Sequence, residues 1–179
     1  PSLDLDEKLQ ALVRAAVELA SAEAPHWDKI AARLRYLDFA RHLAESEAKR
    51  GITNFVAKLR YLTAKELYGS YILENYTDQE LRAASRFIVA ERNHLYSYAG
   101  LDLLLSRYVI HTHHGVALES PQEMYLGIAL HLAMLEEPSV RMDWVRRFYD
   151  MLSLQQVTMA TPTLANARKP YHQLSSCFI

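Results

Sequence analysis

A mainly α-helical fold, running into a final segment that does not read as helix, is what this 179-residue chain predicts. Three observations carry that expectation. Apolar side chains recur every three or four positions through most of the chain. Hydroxyl-x-x-glutamate signatures recur where helices should begin. The chain holds only 5 glycines, and none sits in a GxGxxG or GxxxxGK[ST] loop.

The elements follow in order. Leu9, Leu12, Val13, Ala16, Val17 and Ala20 define a helix from about Leu5 to Ala22, closed by Pro25. Trp27 leads into a second helix carrying Ile30, Ala31, Leu34, Leu37 and Phe39 toward Leu43. The charged run Glu45–Arg50 into Gly51 marks a boundary between units. Thr63-Ala-Lys-Glu66, Thr77-Asp-Gln-Glu80 and Ser120-Pro-Gln-Glu123 each fit a capping box; the last adds proline at the first helical position. The helix opened by Ser120 places Met124, Ile128, Leu132 and Leu135 on one side and ends before Pro138. A further helix, Val140 to about Leu154, turns Trp144, Val145, Phe148, Met151 and Leu152 inward. Two non-helical elements are expected: a short hairpin around Gly115 within Tyr108–Leu118, and a strand over Gln155–Ala160 stopped by Pro162. The coarse picture is a helical bundle followed by the first strand and loop of something else.

Composition narrows the function. Half the residues are hydrophobic and 23% charged, which suits a packed core and excludes general disorder. Lys plus Arg number 20 against 21 Asp plus Glu, so no general electrostatic footprint for DNA or RNA exists. No run of 18 apolar residues and no leading signal segment is present, and we expect a cytoplasmic protein with neither nucleic-acid nor membrane partner. The single cysteine excludes an internal disulfide and a cysteine-rich zinc site.

Most residue clusters have an ordinary explanation. His111 and His113 would share a strand face, as two metal ligands should, but no carboxylate or thiol stands near to complete the shell; they read as solvated loop histidines. The 11 tyrosines fall largely within Leu- and Ala-rich helical patterns, so core edges explain them better than base stacking. The pairs Arg146-Arg147 and Arg33-x-Arg35 fit a phosphate clamp and a solvated helix face equally well. Cys177 is the residue that stands apart. A lone cysteine is commonly a small buried hydrophobe, yet this one follows Ser175-Ser176 at the end of a loop.

Taken together, Ala160-Thr-Pro-Thr-Leu-x-Asn-Ala and Gln173-Leu-Ser-Ser-Cys-Phe resemble the large, catalytic subunit of class I ribonucleotide reductase. Upstream, Glu119-Ser-Pro-Gln-Glu-Met is similar to the family's Glu-x-Pro-Gln-x-Met helix start. Asn93 to Leu101 followed by Leu105-Ser-Arg-Tyr is similar to its Phe-x-Tyr-x-Gly-Leu and Arg-Tyr signature. Trp144 to Leu152 resembles the helix before its first barrel strand, and Trp27 to Leu34 the last helix of its ATP cone. The resemblance spans essentially the whole chain and is most specific over the last 20 residues.

That resemblance implies an organisation: the C-terminal part of an ATP cone over 1–43, a helical domain over 44–153, and the first strand and active-site loop of a ten-stranded α/β barrel over 154–179. It also implies a reaction, the radical replacement of the ribose 2′-hydroxyl of a ribonucleoside diphosphate by hydrogen. Cys177 matches one member of the thiol pair that supplies two electrons and becomes a disulfide, so it must afterwards exchange with an external dithiol such as thioredoxin or glutaredoxin. Thr161 and Ser176 match substrate-contacting positions. Arg41 stands where the family often has an effector-binding lysine, and arginine is not a neutral exchange for lysine.

By the same resemblance, ATP and dATP are the family's allosteric effectors and no cofactor binds these residues directly. The radical comes from a metal-containing small subunit, and large subunits pair as homodimers. The chain departs from the family at Asn166-Ala-Arg-Lys-Pro-Tyr-His, where many relatives read Asn-Ala-Gly-Thr. The second thiol of the pair, the radical cysteine and the catalytic Asn and Glu are expected beyond Ile179, so a chain of this length should not turn over alone. Two alternatives are a fragment of the cobalamin-dependent branch and a standalone helical interaction module in which Cys177 is incidental.

Overall fold

The computed structural model describes residues 4–177, and nearly all their regular structure is helical. Helices α1 (Leu5–Leu19) and α2 (His26–Arg50) form an antiparallel hairpin, with Leu9, Val13 and Ala16 of α1 buried against α2. Asp4 starts α1 through a complete capping box with Glu7. Helix α2 passes unbroken through residues 43 and 44 and ends at Gly51, which takes φ +67° and closes a Schellman motif: Ile52 N donates to Glu47 O at 3.0 Å.

Helices α3 (Phe55–Ala64), α4 (Ser70–Asn75) and α5 (Asp78–Ser85) follow, then a 3₁₀ turn over Ala90–His94. Helix α6 (Tyr98–Leu103) widens into a π turn over Leu104–Tyr108. Helix α7 (Pro121–Ala133) is the axis of the domain. Met124, Leu126, Ile128, Ala129, Leu130 and Ala133 are all fully buried, because neighbours cover it on every side. Helix α8 (Pro138–Ser153) packs along it through Val145, Tyr149 and Leu152, and the short α9 (Thr161–Asn166) touches both α7 and the π turn.

Buried tyrosines close the core, as the helical patterns anticipate: Tyr68, Tyr76, Tyr96, Tyr125 and Tyr149 are all inside. A polar thread crosses it. Tyr149 donates to Gln122 Oε1 at 2.7 Å, Gln122 to Asn93 at 3.3 Å, and Asn93 to the Tyr36 hydroxyl at 2.8 Å. Satisfying each other, these groups avoid the cost of burial without partners.

Several expectations need correction. The capping boxes at Thr77 and Ser120 form in full, but Thr63-x-x-Glu66 does not begin a helix. Thr63 lies in the last turn of α3, and Glu66, at φ +56°, closes that helix with Leu67 N donating to Leu62 O at 2.9 Å. The hairpin around Gly115 shrinks to one antiparallel bridge between His111 and Ala117. The strand expected over Gln155–Ala160 is not formed, and no named strand exists among the described residues. Gln155 instead adopts φ +59° and ends α8, with Gln156 N on Met151 O at 3.0 Å. Thr161-Pro162-Thr163, expected as loop, opens α9, because a proline in the first turn has φ preset for helix as well as for stopping a strand. Met151, expected inward, is exposed, and Leu135, expected on one side of α7 with Met124 and Ile128, lies past the end of that helix and is exposed.

Candidate functional site

The site is assembled by α9, the residues that follow it, and the wall of α4, the π turn and α7 behind them. Ala160 caps α9, its carbonyl accepting from Thr163 N at 2.9 Å and Leu164 N at 3.2 Å. This leaves the Thr161 side chain exposed at the helix start, where its hydroxyl meets the Tyr108 hydroxyl at 3.3 Å. A groove of about 370 Å³ opens beside it, lined among others by Tyr96, Tyr108, Tyr125, Gln155, Val157 and Met159. Burial drives the Tyr96 phenol well above its ordinary pKa, so it remains a neutral hydroxyl.

Beyond α9 the chain turns inward once. Arg168 is fully buried and lies on Glu119, itself buried immediately before the Ser120 cap of α7. Arg168 Nε sits 3.0 and 3.1 Å from the two Glu119 oxygens, Nη1 donates to Leu164 O at 2.7 Å, and Nη2 donates to Tyr108 O at 2.7 Å. Burial opposes the guanidinium charge, and the Glu119 carboxylate overcomes it, so the group stays protonated. The Arg168 carbonyl accepts from Gly69 N at 2.9 Å, and Tyr71 donates to the Ala167 carbonyl at 2.6 Å.

The chain then emerges. Lys169 is half-buried, and its ammonium is held below its usual pKa by burial and by Arg168. His172 packs its ring against Tyr71 at 4.7 Å and His131 at 5.4 Å between centroids. Asn166 donates to the Gln173 carbonyl at 3.1 Å, tying the outgoing limb back to α9. Ser176 and Cys177 are both exposed, Oγ and Sγ 3.8 Å apart, and Cys177 is a free thiol. Phe178 and Ile179, the end of the expected barrel segment, lie outside the described residues, as do Pro1–Leu3 of the expected cone segment.

Among the residues singled out from sequence, Thr161, Ser176 and Cys177 share this one segment, all solvent-facing. Arg41 lies elsewhere, on α2 facing α1, and its guanidinium is taken up by carboxylates: Asp6, Asp38 at 3.2 Å and Glu45 at 3.0 Å. Asp6 and Asp38, with His42, also form the one cluster among the described residues able to hold a metal ion. His113 and His114 are exposed and His111 half-buried, and the three join no such cluster among the described residues. Sequence reasoning missed Arg168. A basic loop residue gives no outward signal of burial, and its partner Glu119 stood out only as part of a helix-start motif. No helix among the described residues is long and apolar enough to cross a membrane.

A helical body carrying a hydroxyl at one end of a short helix and an exposed Ser-Ser-Cys at the other end of a pinned loop defines a class. The family model described as "ribonucleotide reductase, all-alpha domain" matches residues 94–172. The chain is 53% identical over 176 residues to the ribonucleoside-diphosphate reductase subunit alpha of Treponema pallidum, covering 98% of this chain and 21% of that protein. It is 35% identical to the corresponding subunit of Synechocystis over 94% of this chain and 21% of that protein, and 28% identical to subunit alpha of reductase 1 of Escherichia coli over 95% and 22%. The chain belongs to the ribonucleoside-diphosphate reductase alpha-subunit family. It spans about a fifth of the length of the relatives it matches.

Proposed function

We propose that these residues serve the reduction of ribonucleoside diphosphates to 2′-deoxyribonucleoside diphosphates, with Cys177 as one of the two reducing thiols. The observation that carries this reading is the exposed Cys177 thiol at the end of the Thr161–Cys177 segment, in a chain that matches reductase alpha subunits along nearly its whole length. The chain holds a single cysteine, so the second thiol comes from outside it. Both thiol hydrogens are given up. One leaves as a proton with the 2′-hydroxyl as water. The other ends on C2′ as the C–O bond is replaced by C–H with two electrons from the thiols, and the sulfurs join as a disulfide. Thioredoxin or glutaredoxin then restores the dithiol by exchange. Thr161 and Ser176 bind substrate oxygens with neutral hydroxyls and loop amides.

In this reading residues 1–43 are the back of an ATP cone, 44–153 the helical domain, and 154–179 the entry to an α/β barrel. The stretch over 157–160, beyond the end of α8, would find its strand partners in that barrel. ATP and dATP act as effectors in the cone. An effector phosphate at Arg41 would have to displace Asp6, Asp38 and Glu45. A metal-containing small subunit supplies the radical, the large subunits pair, and the assembly works in the cytoplasm.

The test is Cys177→Ser in the complete large subunit, assayed with its radical-generating partner. Thioredoxin-dependent turnover should vanish while nucleotide binding stays within about twofold. Near-normal turnover with that reductant would remove Cys177 from the reaction.

A further inference from the structure

The segment from Thr161 to Cys177 is held to the helical body around one buried ion pair. Arg168 lies between the two ends of the segment and reaches three separate pieces of chain at once: Glu119 before α7, the Tyr108 carbonyl at the end of the π turn, and the Leu164 carbonyl of α9. Glu119 is equally committed, because Oε1 also accepts from Ile110 N at 2.9 Å. The main chain on either side is pinned too, by Gly69 N on the Arg168 carbonyl and by the Tyr71 hydroxyl on the Ala167 carbonyl. A planar guanidinium with its donors in a fixed fork permits one register in such a nest; a flexible ammonium would not.

Stability alone is a poor reason for this arrangement. Desolvating both charges can cost as much as their attraction returns, and apolar replacement of a buried pair is often neutral or better. What the pair gives that apolar packing does not is a single fixed height for the chain that leads to the thiol. We infer that the Arg168–Glu119 pair is a positioning element for the Cys177 thiol and the Thr161 hydroxyl, holding the span between them in one register against α7. This rests on the proposed role of Cys177 as a reductant. Arg168 is fully buried with its donors on Glu119, Leu164 O and Tyr108 O, so it acts through the segment it anchors.

The experiment uses the complete large subunit with its radical partner and thioredoxin. Arg168→Met combined with Glu119→Gln removes both charges while keeping an acceptor for Ile110 N. This double variant should melt within a few degrees of the parent. Its kcat should fall at least tenfold with substrate KM changed less than threefold, and iodoacetamide should alkylate its Cys177 at least threefold faster or slower. A folded double variant with parental kcat and parental alkylation overturns the inference. If the double variant does not fold, Arg168→Lys replaces it; it should show an intermediate loss of kcat and a shifted alkylation rate, and parental values in both overturn the inference. Failure of both variants to fold makes the pair a stability element and overturns it too. Cys177→Ser keeps the two ideas apart. If that variant still turns over with thioredoxin, the reductant assignment fails, whereas the alkylation rate of the double variant still reports whether the pair fixes the segment.

Discussion

The Tyr71 hydroxyl donates to the Ala167 carbonyl at 2.6 Å and is met at 3.1 Å by His131 Nδ1. Since the phenol's one proton goes to the carbonyl, His131 must donate through Nδ1, leaving Nε2 without a proton in the neutral ring. His131 is buried on α7, and burial first, then the neighbouring His172, holds its pKa below the ordinary 6.5.

A pH dependence follows with a definite sign. The unfolded chain takes up the His131 proton at a higher pH than the folded one. Stability is therefore unaffected by this group above about pH 6.5 and falls as the pH drops from there toward the folded pKa. Glu119, Arg168, Lys169 and His172 all stand near this wall, so the comparison must be with a variant. Melting temperature followed from pH 8 to pH 5 should drop more steeply in the parent than in His131→Gln. Parallel curves would refute the assignment.

Lys58 gives a second prediction. Its side chain is buried on α3, with the ammonium between Glu47 of α2 and Glu123 of α7, the latter at 2.5 Å. Burial opposes its charge, but Glu123 and Glu47 prevail and keep the pKa above its usual value. Glu123 meanwhile completes the Ser120 capping box through its other oxygen, at 2.7 Å from Ser120 N. Removing Lys58 leaves two carboxylates facing one another in a poorly hydrated place. Lys58→Met should cost about 3–5 kcal/mol in denaturant unfolding, the range for breaking one side of a buried pair. Adding Glu123→Gln should recover part of it. A loss under about 1 kcal/mol would mean the charges are effectively solvated.

Two segments that look alike in sequence differ in structure, and substitution should tell them apart. Ser120-x-x-Glu123 caps α7, so Ser120→Ala should cost about 1 kcal/mol. Thr63-x-x-Glu66 sits at the end of α3, and the Thr63 hydroxyl is buried without a hydrogen-bond partner. Thr63→Ala should therefore be neutral or slightly stabilising. Equal losses at both positions, read by chemical denaturation, would contradict the helix boundaries.

The contrast also explains what was legible in the sequence. Helices with a strong start signal, such as α7 with its Ser120 capping box and proline, could be read because local propensity and burial agree there. Thr63 could not, since a capping-box pattern is four residues long and the same four residues also fit a helix end whose last position turns left-handed. The end of α8 near Leu154 could be read, but the left-handed turn at Gln155 that stands where a strand was expected could not: a non-glycine residue at φ +59° carries no local signal. The thiol segment was legible as chemistry, because Thr161, Ser176 and Cys177 form a spaced pattern. Its anchor was not, because burial of Arg168 depends on Glu119, 49 residues away in the chain.

The packing around Arg168 supplies the last prediction. Gly127 lies on the face of α7 that meets Tyr68 and Arg168. A Cβ placed there would overlap the Tyr68 hydroxyl and come within 2.8 Å of Arg168 Cδ. The Tyr68 hydroxyl is buried and has no hydrogen-bond partner, so it occupies space without repaying its desolvation. Alanine would gain up to about 1 kcal/mol of helix propensity over glycine, but overpacking of this kind costs about 1–3 kcal/mol. Gly127→Ala should thus be destabilising on balance. Tyr68→Phe alone should be close to neutral, and in the double variant it should relieve much of the Gly127→Ala loss by vacating the contested position. If Tyr68→Phe is instead costly and gives no rescue, the hydroxyl has a partner, and the close approach of α7 to Arg168 needs another cause.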